Sequence, residues 1–199
     1  MNSKLTAFVD ELFATGVAYD ATQPDRHLRW RNLAPATAAL LGLTARIAGA
    51  RRIVEVGTSN AYSTIWLADA ACDTDGSVVS VDTVQSDAAA PNLARADAAQ
   101  PGLGRRVELR QEDGGRYLAS LADGSVDFLF LDAERVEYPH WWPHPVRVLR
   151  PGGVLAIDNA LSHADELAPF LALLAGEPAV RGATIVPIGN GLHLSWRGA

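Results

Sequence analysis

The sequence predicts an α/β fold, a doubly wound and mostly parallel sheet that finishes in an antiparallel hairpin strand. Three observations predict it. Four short runs rich in β-branched or aromatic residues, at 52–56, 77–82, 126–132 and 153–158, are nearly continuous in apolar character; strands covered by helices on both faces read this way. Segments of helical length lie between them, at 60–72, 86–100, 114–122 and 136–149, and strand–helix alternation points to a parallel sheet. Near the end, Asn190-Gly191 sits between the apolar runs Gly182 to Pro187 and Leu192 to Trp196, a strong hairpin signal.

In chain order, residues 1–50 read as two helices, 3–16 and 34–48, joined by the polar stretch Arg26-His27-Leu28-Arg29-Trp30-Arg31-Asn32. Arg52-Ile53-Val54-Glu55-Val56 is the first strand and Ser77-Val78-Val79-Ser80-Val81-Asp82 the second. Val107-Glu108-Leu109-Arg110 is a further one. Val126 to Asp132 and Gly153 to Asp158 follow, each ending at a carboxylate, and a helix over 163–176 opens at His163 and closes at Gly176. The expected organisation is an N-terminal helix with an Arg-rich, lid-like segment over 1–33, then one cofactor-binding domain over 34–199.

Composition narrows the function. The 199 residues are 48% hydrophobic and 20% charged, enough to bury a core. Seventeen Lys and Arg against 23 Asp and Glu give a formal charge of −6. Nucleic acid is then not the expected partner, because that binding relies on phosphate neutralisation by basic side chains. The single cysteine, Cys72, can form neither an internal disulfide nor a metal knuckle, which suits a reducing, cytoplasmic setting. The apolar stretch from Leu5 to Phe13 is broken by Asp10 and Glu11 and makes a poor signal peptide. No run is long enough to predict a membrane span.

The stretch Glu55-Val56-Gly57-Thr58-Ser59-Asn60-Ala61-Tyr62-Ser63 turns from a strand into a helix through small residues. In doubly wound sheets the ligand crevice lies at the carboxyl ends of the strands, and Gly57 lets a ligand approach the backbone closely. The dinucleotide fingerprint G-x-G-x-x-G is missing. Asp82, ending the next strand, can accept hydrogen bonds from ribose hydroxyls. Asp113, in Gln111-Glu112-Asp113-Gly114, can accept from an adenine amine or cap a turn. Together these positions outline a nucleoside without a pyrophosphate, and S-adenosylmethionine is such a ligand.

At this point the chain resembles the class I S-adenosylmethionine-dependent methyltransferases, in the group of catechol and caffeoyl-CoA O-methyltransferases that includes small bacterial enzymes. The resemblance covers roughly 34–196. It rests on Glu55-Val56-Gly57 with Ala61-Tyr62-Ser63, Leu131-Asp132-Ala133-Glu134-Arg135 with Tyr138, Pro151-Gly152-Gly153, Ile157-Asp158-Asn159 and the Gly189-Asn190-Gly191 hairpin. It implies a Rossmann-like sheet and a cofactor site of Glu55, Gly57, Ser59, Ser63, Asp82, Asp113, Gly114 and Asp132. Glu55 and Gly57 would lie along the methionine end with Ser63 at its carboxylate. Asp82 would hold the ribose, and Asp113-Gly114 would border the adenine.

Asp132 and Asp158-Asn159 end neighbouring strands. Two carboxylates and an amide suit a hard divalent cation, or they cap a helix and bond a loop. The resemblance implies the former, with Asp132, Asp158 and Asn159 holding Mg²⁺. Such an ion lowers the pKa of a chelated substrate hydroxyl, so the expected reaction is methyl transfer to a hydroxyl of a small molecule. Two departures qualify it. Arg135 stands where the family usually has lysine, and arginine stays protonated; it can stabilise an oxyanion, leaving His163 as a candidate base. Only a short stretch separates Asp158-Asn159 from the closing hairpin, so the family's long acceptor-binding insertion is missing, and the acceptor pocket is built elsewhere, left open, or completed by the second subunit of a homodimer.

Other features carry two readings each. The aromatic cluster Tyr138-Pro139-His140-Trp141-Trp142-Pro143-His144 walls an acceptor or starts a helix against the sheet. The Arg26–Asn32 stretch contacts an anionic acceptor, closes over the cofactor, or is a solvated face. Cys72 and His193 read as core or hairpin residues. Rival functions are a metal-independent or nitrogen-directed methyltransferase of the same fold, a nicotinamide-dependent oxidoreductase, and a non-catalytic cofactor-binding partner.

Overall fold

Each apolar run folds as a strand in the computed structural model, which describes residues 1–84 and 86–198; the last residue of the expected 34–199 domain lies outside them. The chain runs α1 (Ser3–Thr22), α2 (Pro35–Ile47), β1 (Arg52–Val56), α3 (Tyr62–Thr74), β2 (Ser77–Asp82), α4 (Ala89–Ala99), β3 (Val107–Gln111) and α5 (Gly114–Ser120). It continues through β4 (Val126–Leu131), α6 (His144–Arg147), β5 (Leu149–Ile157), α7 (Ala164–Gly176), β6 (Val180–Val186) and β7 (Leu192–Arg197). The described strands form one seven-stranded sheet in the order β3-β2-β1-β4-β5-β7-β6. Strands β1 to β5 pair in parallel, and β7 runs antiparallel to both β5 and β6. From β1 the chain steps outward to β3, then returns to lay β4 beside β1, so the order reverses between β1 and β4. A ligand crevice forms at such a reversal.

Alternation along the strands loads both faces. Ile53, Phe128, Phe130 and Ala156 pack with α1 to α4; Val54, Val56, Leu129, Leu131, Leu155 and Ile157 pack with α5, α7 and the segment after β4. Full burial of each large side chain is worth roughly 2–3 kcal/mol, so both layers are needed. Helix α1 contributes Leu5, Phe8, Val9 and Leu12 to the first layer.

Three elements differ from the sequence expectation. Helix α1 runs to Thr22 rather than stopping at Gly16, because the missing side chain of Gly16 makes room for Asn32 instead of ending the helix. The helix expected over 136–149 is a 3₁₀ segment, Arg135–Trp141, followed by the single turn α6. Pro139, Pro143 and Pro145 remove amide donors that a continuous helix needs. Strand β5 starts at Leu149, ahead of the expected Gly153, with a register shift against β4 between Val126 and Phe128.

At the amino end of the sheet, one side chain binds three strands together. The Asp127 carboxylate accepts from the amides of Arg51 and Arg52 at 2.8 and 2.7 Å and from Arg150 Nε.

Candidate active site

The strand ladder continues one residue beyond the strands and sets the site's floor. The amides of Gly57, Asp132 and Asp158 donate to the carbonyls of Val81, Val56 and Leu131 at 2.8, 2.8 and 3.2 Å. Gly57, Asp82, Asp132 and Asp158 are thereby brought to one edge. A cleft of about 790 Å³ opens above them, within the range of small-molecule sites.

On the β1–β2 side the chain satisfies its own polar groups. Gly57 has φ +107°, and a Cβ there would collide with the Asp132 carbonyl. Ser59 and Ala61 are left-handed at φ 46° and 69°, costing about 1 kcal/mol each. Asp82 Oδ2 holds this loop by accepting from the Thr58 and Ser59 amides at 2.9 and 3.1 Å. Glu55 lies fully buried behind the wall, not on it. Its oxygens accept from Ser63 Oγ (2.6 Å), Thr64 Oγ1 (2.5 Å) and Ser80 Oγ (2.6 Å). Burial outweighs these bonds and pushes its pKa up to about 7. Gly57, Ser59, Ser63, Asp82 and Gly114 line the cleft; Glu55 and Asp113 do not. The Asp113 carboxylate caps α5, accepting from the Arg116 amide at 2.8 Å, while a Cβ on Gly114 would strike the Val56 side chain.

The β4–β5 side is different. Asp132, Arg135, Asn159 and His163 line it, and Asp158 lies just behind, 6% exposed. Burial first, then the Asp158 and Glu55 carboxylates, drive the Asp132 pKa well up. Burial likewise raises Asp158, to about 6, and its Oδ1 is buried without a hydrogen-bond partner. An orphaned carboxylate oxygen beside a second carboxylate and the Asn159 amide oxygen fits a hard cation. Among the described residues no group of three or more His, Cys, Asp and Glu side chains is placed to hold a metal, so the set depends on the amide. The Arg135 guanidinium, 4% exposed, already sits there. Its Nε donates to Glu166 Oε2 at 2.9 Å and its Nη1 to Asn159 Oδ1 at 3.3 Å. Tyr138, beneath it, brackets Ala133 by accepting from the amide (2.8 Å) and donating to the carbonyl (3.0 Å). His163 Nδ1 meets Ser162 Oγ at 2.9 Å.

Two distant segments close the cleft. Asn190 O accepts from the Leu161 and Ser162 amides at 2.9 and 3.1 Å, and Gly191 O from the Ala160 amide at 2.9 Å, so the closing hairpin fixes the loop after Asn159. The Arg-rich stretch crosses the mouth. Asp20 accepts from the Trp30 and Arg31 amides at 2.7 and 2.9 Å, Ser59 Oγ donates to Trp30 O at 2.8 Å, and Trp30 stacks on Tyr19 at 4.0 Å.

Residues not singled out by the sequence complete the walls. Asn60 is fully buried beside the cleft with Nδ2 unpartnered; its place inside the Gly57–Ser63 turn is the available signal. Tyr19 and Glu134 also line the cleft, and nothing local marks Tyr19.

A family model described as O-methyltransferase matches residues 19–197. A Mycobacterium avium protein classed among the O-methyltransferases is 34% identical over 161 residues, 80% of this chain and 67% of that protein; the chain thus spans about two thirds of such relatives. The O-methyltransferase of Bacillus cereus, solved with S-adenosylhomocysteine, superposes with a TM-score of 0.77 at 27% identity, covering 96% of this chain and 90% of its own. TomG of Streptomyces achromogenes, an O-methyltransferase of tomaymycin synthesis solved with S-adenosylmethionine, gives 0.75 at 27%, covering 100% and 91%. With its parallel sheet, its crevice at the β1–β4 reversal and a match over nearly its whole length, the chain belongs to the O-methyltransferase family.

Proposed function

We propose that the protein transfers a methyl group from S-adenosylmethionine to a hydroxyl of a small molecule. The observation that carries the reading is the two-sided cleft, with a backbone cradle at Gly57 and Asp82 facing an oxygen-rich, cation-bearing wall at Asp132, Asn159 and Arg135. The bound cofactor supplies an electrophilic methyl on a sulfonium. Gly57 and Gly114 let the Asp132 carbonyl and the Val56 side chain close up beneath it, Asp82 Oδ1 accepts from the ribose, and the Ser63 hydroxyl faces its polar end. In-line placement of acceptor and methyl then supplies much of the rate, and combining a cation with an oxyanion favours a site shielded from water.

On the acceptor side Asp132, Asp158 and Asn159 would hold a divalent cation, whose chemistry is to acidify the acceptor hydroxyl and fix its oxyanion. Arg135 lends its fixed charge to the same oxyanion, and His163 takes the proton. Arginine cannot do so, and the only lysine in the chain is Lys4. A metal-independent version is a second reading, favoured by the Arg135 Nη1 contact with Asn159 Oδ1, because a guanidinium already occupies part of the donor set. A homodimer in the cytoplasm completes the proposal.

Calorimetry with S-adenosylhomocysteine, followed by turnover of catechol with Mg²⁺ or EDTA, tests it. Cofactor binding with EDTA-sensitive methylation is expected. EDTA-resistant methylation selects the second reading, and failure to bind the cofactor overturns both.

A further inference from the structure

The strap across the cleft mouth carries two arginines that converge on one carboxylate. Arg26 and Arg31 are about half exposed, and each brings one guanidinium nitrogen toward a different oxygen of Glu134, at 4.0 and 3.9 Å. Both distances exceed a hydrogen bond, so among the described residues the two arginines hold Glu134 by long ion pairs alone, and Arg31 also bears electrostatically on Asp132. The strap itself is fixed by Asp20, Ser59 and the Tyr19–Trp30 stack. Arg31 is held left-handed at φ 50°, where non-glycine residues are seldom found. Arg29 donates to the Gln23 carbonyl at 2.9 Å and has no carboxylate within ion-pair distance among the described residues. The nearby Glu166 is engaged by Arg135. In a chain of net charge −6, three guanidiniums thus gather at one lip of the cleft.

Resting on the methyl-transfer reading, we infer that Arg26 and Arg31 clamp an anionic substituent of the acceptor, a carboxylate or phosphate-type group that displaces the Glu134 carboxylate between them. Arginine forks match such groups through paired, charge-assisted hydrogen bonds. The acceptor is then an anionic, hydroxyl-bearing small molecule whose charged end lies at the lip and whose hydroxyl lies toward Asp132. Glu134 acts as an internal stand-in that keeps the clamp closed to neutral compounds.

Calorimetry on the complex with S-adenosylhomocysteine, using 3,4-dihydroxybenzoate, 3,4-dihydroxybenzylphosphonate and neutral 3,4-dihydroxybenzamide, tests the clamp. One or both anions should bind at least about tenfold tighter than the amide, and the tighter of the two identifies the carboxylate or phosphate source. The double variant Arg26→Gln, Arg31→Gln should bring that ratio near one, whereas Glu134→Gln should raise it. Equal binding of all three probes, no binding by any, or a preference that survives the double variant overturns the clamp. Turnover in the same samples keeps the two readings apart. Methylation of the amide without anion preference sinks the clamp alone, and anion preference without methylation sinks the transfer reading alone.

Discussion

The two walls of the cleft are built on opposite principles. On the β1–β2 side most polar atoms answer to the chain itself: Glu55 accepts three hydroxyl bonds and Asp82 three amide bonds, and strained backbone shapes the surface. On the β4–β5 side an Asp158 oxygen lacks a partner and a buried guanidinium shares an amide oxygen. The first wall is a finished mould and the second an unfinished circuit that needs atoms from outside. A ligand common to a family can be recognised by backbone, while whatever varies is left to side chains that are easily exchanged.

This contrast breaks most easily at Gly57. Gly57→Val places a Cβ against the Asp132 carbonyl at φ +107°; it is expected to cost more than about 3 kcal/mol in urea unfolding and to abolish S-adenosylhomocysteine binding. A stable variant with normal cofactor affinity would show that the mould is not made of backbone. On the other wall, Arg135→Met should lower kcat roughly 100-fold, about 3 kcal/mol, by removing a preorganised charge. Cofactor affinity should stay within about twofold, and a large loss of it would mean that the walls are not separable.

The smallest effect is a pH signature. A carboxyl whose pKa is raised from 4.5 to about 7 by burial favours the folded state below the unfolded pKa and loses that advantage as pH rises through the folded one. The stability of the native protein relative to Glu55→Gln should therefore fall by about 2 kcal/mol between pH 5.5 and pH 8 in parallel thermal melts. A flat difference would mean that Glu55 stays charged and that its three hydroxyl bonds outweigh its burial.

How far the sequence could be read follows the same division. The β1, β2, β4 and β5 runs, Gly57 and Asp82 were legible because continuous apolar runs and a small-residue turn are local signals. The resemblance puts Glu55 along the methionine end of the cofactor, but its full burial depends on how β1 packs against α3, which no local pattern records. Asp113 offered capping and adenine contact equally, and the structure shows the cap. The helix expected over 136–149 is interrupted because Pro139, Pro143 and Pro145 break the amide ladder that the segment's apolar content would otherwise support. The Arg26–Asn32 stretch takes its path from partners in α1 and in the turn after β1, which lie far from it in the chain and leave no local signal.

Asp127 gives the sheet a mechanical asymmetry. It ties β1, β4 and β5 together at the end remote from the cleft through one carboxylate, whereas at the cleft end the same strands are joined, among the described residues, by backbone bonds alone, at Asp132 and Asp158. One end of the sheet is thus fastened by a side chain that a single substitution removes, and the end that carries the site is fastened by groups that no substitution short of proline removes.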